Sequence, residues 1–161
     1  MLHDILNQYQ QGDVVSVIGA APGQQWLKIL DKDSKTGWMF ISHLNLKGDV
    51  AAVPVLPISE SLSAVGRVVD ASGKGIPGVQ VALYRVGGAQ VVRVEGTSLA
   101  DGSLYIYAPV EYQGSWLANV IGVDCTSPIV DTNCRYAGKF TPAAGISLKL
   151  PQDSEITFTY Q

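Results

Sequence analysis

The run from Gly66 to Tyr107 constrains the fold more than any other part of the 161-residue chain. It reads Gly66-Arg-Val-Val-Asp-Ala-Ser-Gly-Lys-Gly-Ile-Pro-Gly-Val-Gln-Val-Ala-Leu83 and resumes as Thr97-Ser-Leu-Ala-Asp-Gly-Ser-Leu-Tyr-Ile-Tyr107. Apolar residues at alternate positions, interrupted by glycine-rich and Asp-Gly punctuation, mark short half-buried strands joined by tight turns. No stretch carries the apolar spacing of an amphipathic helix. The chain is therefore expected to be all-β.

Across residues 63–161 the pattern predicts seven strands, near Ala64–Asp70, Gly78–Val86, Gln90–Gly96, Leu104–Ala108, Ser115–Val123, Gly145–Leu150 and Glu155–Tyr160. Short strands with turn residues between them suit an antiparallel sandwich. Val79, Val81 and Leu83 would share one face, and Trp116 would sit in the core. The segment resembles a prealbumin-like, or carboxypeptidase-regulatory-like, β-sandwich, an accessory module of exported proteins. That resemblance implies a spacer or binding domain without a catalytic centre.

Residues 1–49 predict three more strands, Val14–Ile18, Trp26–Leu30 and Gly37–Phe40, with turns at Gly19–Gly23 and Asp31–Gly37. Gln11-Gly-Asp13, Trp26-Leu-Lys-Ile29, Lys35-Thr-Gly-Trp38 and Ser42-His-Leu44 together resemble a bacterial SH3 domain, a small barrel. Trp38-Met-Phe40-Ile41 is apolar on both faces, and its outer face is expected to pack on the linker or the second domain. Alternatively, since relatives of the SH3-like module hold peptides or peptidoglycan in an aromatic groove, Tyr9, Trp26 and Trp38 are the candidate ligand-binding residues. The strand and RT-type loop that open such domains would lie upstream of Asp4. A barrel lacking that first strand exposes unpaired backbone groups and invites another chain. Either a cut or processing boundary lies there, or a neighbouring segment supplies the strand.

Residues 50–62 read as a linker. Pro54 and Pro57 fix φ and remove donors, so it is expected to be extended and stiff, and its apolar content places it against a domain surface.

The chemistry-bearing motifs are mostly turns in disguise. Gly73-Lys-Gly75-Ile-Pro-Gly78 is a literal dinucleotide fingerprint, but those glycines must open a helix, and here Gly78 leads into a period-two strand. Lys35-Thr-Gly37 lacks the S-x-x-K serine of penicillin-binding enzymes, and Gly96-Thr-Ser98-Leu-Ala100 lacks the last glycine of a nucleophile elbow. Asp31 and Asp33, with Asp124, Asp131 and Asn133 elsewhere, lack the loop of an EF-hand and read as turn residues. The first and last sandwich strands lack the Lys and Asn of an isopeptide cross-link.

Two cysteines, Cys125 and Cys134, are spaced for a small loop closed by a disulfide, with two inert thiols as the alternative. Zinc would need further ligands, and the two histidines, His3 and His43, lie far off in sequence. No metal or cofactor is expected. A disulfide favours an oxidising compartment.

The net charge is −3, and the eleven Lys and Arg residues are scattered singly, which argues against nucleic acid and against a polybasic membrane patch. No apolar run reaches the roughly 18 residues of a membrane span. The first residues do not read as a signal peptide, so the expected extracellular or cell-surface location rests on the module types. Three functions remain open. The first is a non-catalytic binding or spacer module of a secreted or envelope protein, with peptidoglycan, glycan or peptide as partner. The second is a self-assembling structural subunit using the open barrel edge. The third is the accessory region of an envelope hydrolase. None of these makes the chain itself an enzyme.

Overall fold

The computed structural model describes residues 8–87, 91–108, 112–123 and 140–161. The chain is all-β and divides into two compact units, Met1–Ser61 and Leu62–Gln161. Every strand expected from alternation has an observed counterpart, the first displaced two residues along the chain. Cys125 and Cys134, with the disulfide expected between them, lie outside the described residues.

The first unit contains an antiparallel sheet of three strands, β1 (Ser16–Ala20), β2 (Trp26–Leu30) and β3 (Thr36–Phe40), in that order. Leu27 and Ile29 alternate inward and are essentially inaccessible, as is Ala20 opposite Leu27. Burying each large aliphatic side chain contributes roughly 1.5–3 kcal/mol. The linker does more than connect. Ala20 donates its N–H to Pro54 O and accepts from Leu56 N–H, which makes a parallel bridge between Ala20 and Val55. Gly19 leaves room for this: a Cβ there would come within 2.9 Å of the Leu56 side chain. Short 3-10 turns at Val50–Ala52 and Ile58–Glu60 flank the bridge, the first capped by the Asp49 side chain.

The second unit has eight strands among the described residues. They are β4 (Ser63–Val69), β5 (Val79–Arg85), β6 (Arg93–Thr97), β7 (Ser103–Tyr107), β8 (Gly114–Val123), β9 (Phe140–Thr141), β10 (Ile146–Leu150) and β11 (Ile156–Tyr160). One sheet runs β10-β8-β5-β6 and the other β7-β4-β11-β9, and their inner faces share a single core. Val79, Val81 and Leu83 are wholly buried on one face of β5, and Trp116 is wholly buried on β8, its Nε1–H donating to Tyr112 O.

Two features depart from the expected seven antiparallel strands. β9 is a strand of two residues, too short to carry a period-two signal. More consequentially, β11 pairs β4 in parallel, Ile156 opposite Gly66 through Thr159 opposite Val69. β10 and β11 are adjacent in sequence but belong to different sheets, so β11 is reached by a crossover rather than a hairpin, and only hairpins impose antiparallel pairing.

Three turns share one design, although only the first joins two paired strands, β2 and β3. Asp31, Asp70 and Leu99 each donate the backbone N–H to the carbonyl four positions on and accept from the amide three positions on. The fourth residue of each turn is left-handed: Ser34 at φ 60°, Gly73 at φ 85° and Gly102 at φ 80°. This is the three-residue loop closed by a left-handed bulge.

Candidate ligand-binding face

The alternation of β2 turns Leu27 and Ile29 to the buried side and leaves Trp26 and Lys28 on the other. The Asp31–Lys35 turn then fixes the register of β3, placing Phe40 opposite Trp26 and Trp38 opposite Lys28. Residues directly opposite across an antiparallel pair share a face. Trp26, Lys28, Trp38 and Phe40 thus form one half-buried surface, with Gly19 beside Lys28 on β1. Trp26 and Phe40 meet edge to face with ring centroids 5.5 Å apart, and Phe40 meets His43 at 6.3 Å. Edge-to-face pairs of this kind hold their rings in fixed orientation.

Two of the three ligand candidates are therefore brought together and one is not. Tyr9 donates its hydroxyl to Asp31 Oδ2 at 3.3 Å. Asp31 follows β2 at the end away from Trp26, about 16 Å along a strand that rises about 3.3 Å per residue. Tyr9 helps to fix the β2–β3 turn and is remote from the Trp26–Phe40 pair. Asp31 is buried, and its Oδ1 also accepts from the amides of Asp33 and Lys35, at 2.9 and 2.8 Å. Phe40, His43 and Lys28 were not among the ligand candidates drawn from the sequence. Counting outward from the Asp31–Lys35 turn assigns the Trp26–Phe40 pair, so the signal for Phe40 was present.

The other polar motifs are occupied by the fold. Ser98 is buried; its hydroxyl accepts from Val79 N–H at 2.9 Å and donates to Ile76 O at 2.7 Å, clasping the glycine-rich loop. In that loop Gly73 and Gly78 have positive φ, while a Cβ on Gly75 would overlap the Asp101 carbonyl. The fingerprint is a turn pressed against another turn. Asp70 accepts from the Ser72 hydroxyl and the amides of Ser72 and Lys74, and Asp101 from the hydroxyl and amide of Ser103. The serine hydroxyls, before all other causes, hold both exposed carboxyls below their ordinary range.

Among the described residues no three His, Cys, Asp or Glu side chains gather as a metal site would require, and Cys125, Cys134, Asp124, Asp131 and Asn133 lie outside them. No helix there is long and apolar enough to cross a membrane. A shallow cleft between β10 and β11, lined by Ile146, Leu148, Gln152 and Glu155 among others, gathers no such cluster either. Comparison with protein families, with characterised proteins and with solved structures finds no match to the chain.

Proposed function

We propose that the chain is a non-catalytic binding and spacer module of a secreted or cell-envelope protein. In this reading the first unit is SH3-like and takes the ligand, and the second is a prealbumin-like spacer. The observation that carries it is the surface of Trp26, Trp38 and Phe40 around Lys28. Aromatic faces stack on the apolar faces of sugar rings or on peptide side chains, and a cation among them attracts a carboxylate. Peptidoglycan fragments offer both chemistries.

The self-assembly alternative needs a free flank on β1. Val55 already bridges Ala20 there, which favours the binding reading. The accessory-region reading predicts the same surface and differs only in what else the full protein carries.

The test is co-sedimentation of the chain with purified peptidoglycan, with Trp38→Ala and Lys28→Ala variants alongside. The wild type is retained and both variants are released. Equal retention of all three proteins, or retention of none, overturns the reading. Light scattering over a tenfold concentration range separates it from self-assembly, for which mass rises with concentration.

A further inference from the structure

The strands that open and close the second unit, β4 and β11, are neighbours and run parallel. Parallel pairing puts the start of β4 and the end of β11 at opposite ends of their ladder. Tension applied between Leu62 and Gln161 therefore draws the two strands past each other along their own axes. All rungs from Gly66–Ile156 to Val69–Thr159 resist together. In an antiparallel pair the same ends would lie side by side, and the bonds would open one after another.

Three further features reinforce this arrangement. Neither strand is an edge: β4 has β7 on its other flank from Ser63 to Arg67, and β11 has β9 at Thr159 and Tyr160. Peeling a terminal strand from the sheet is thus blocked on both sides. The buried Gln152 amide accepts from Val65 N–H at 2.7 Å and donates to Val65 O at 2.9 Å, extending the ladder by one residue beyond Gly66. The strands also supply Val68, Ile156 and Phe158 to the core, so sliding must expose apolar surface at the same moment.

We infer that the second unit is a mechanical clamp, built to carry tension between the chain entering β4 and the chain leaving β11. Its biological role rests on the spacer reading above, whereas the mechanical property belongs to the unit and is tested without any ligand.

The experiment is single-molecule extension of the whole chain, held at its two ends between reference domains in reducing buffer. The second unit is recognised by its longer release, on the order of 300 Å for a chain extending about 3.3–3.6 Å per residue. Its unfolding force is expected to be several-fold above that of the first unit in the same molecule. Gln152→Leu lowers that force, while Ser98→Ala, which weakens the unit without removing a rung between β4 and β11, leaves it nearly unchanged. A second-unit force no higher than that of the first unit overturns the clamp, even if neither variant folds. So does an equal loss of force in both variants. Peptidoglycan retention is independent of this outcome, so either conclusion can fail alone.

Discussion

Gln152 pairs with the backbone of Val65 as a strand would, its side-chain amide meeting both the N–H and the C=O of that residue. The two are separated by most of the second unit in sequence, and both are buried. A third bond, from Gln152 Nε2 to Ser154 O, holds the amide in place. β11 starts only at Ile156, opposite Gly66, so the glutamine completes a ladder that the backbone leaves one residue short.

Replacing Gln152 by Leu leaves two buried backbone groups without their partner. Each such loss costs about 1–3 kcal/mol, so the expected destabilisation is about 2–6 kcal/mol, read as a fall in the urea midpoint at unchanged slope. Gln152→Glu keeps the shape but cannot donate to Val65 O while ionised, and is expected to lose a comparable amount at neutral pH.

Ser98→Ala removes the clasp between Ile76 O and Val79 N–H in the buried side of the glycine-rich loop. Chemical denaturation is expected to show a loss of about 1–3 kcal/mol. Ser98→Thr keeps the hydroxyl and should recover part of it.

The three matching turns allow a comparison within one molecule. Ser34 holds the left-handed position that glycine holds in the other two, and a non-glycine residue there is disfavoured by about 1–2 kcal/mol. Ser34→Gly is expected to stabilise by about 0.5–1 kcal/mol, the remainder being offset by the freer unfolded chain. Gly73→Ala, with open space around it, is expected to cost about 1 kcal/mol from backbone strain alone. Thermal melts of the pair check both signs.

Asp70 and Asp101 titrate below their ordinary value of 3.8 in the folded chain. A depressed folded value means that the stabilisation is present above the unfolded value and is lost as the pH falls through the folded one. Carbon-detected NMR titration should place both midpoints below 3.8. Ser72→Ala is expected to raise that of Asp70, and Ser103→Ala that of Asp101, each leaving the other carboxyl unmoved. Midpoints that ignore both substitutions would show that the hydroxyls are not the cause.

Much of this architecture was legible in the residues. Alternation marked the strands, and the positive-φ glycines Gly73, Gly78 and Gly102 stood where the turns required them. The direction of β11 was not legible, because alternation fixes which face a residue takes and not which way a strand runs. β9 was too short to show. The role of Gln152 was hidden for a different reason: a side chain that substitutes for backbone has no local pattern, only a partner far away in sequence. At the candidate site, Trp26 and Trp38 were found through their resemblance to a known groove. Tyr9 was grouped with them through the same resemblance, but it lies on neither strand, and its hydroxyl meets Asp31 beyond the far end of β2.

The placement of the tryptophans has a practical consequence. Trp26 and Trp38 are half-buried in the first unit, and Trp116 is completely enclosed in the second. An indole shut away from water emits at shorter wavelength than one in contact with it. With only three tryptophans in the chain, the two units are expected to emit at different wavelengths. Trp116→Phe would leave the emission to the first unit alone, and Trp26→Phe with Trp38→Phe would leave it to the second. The melting of each half can then be watched separately, in the intact molecule and without any label.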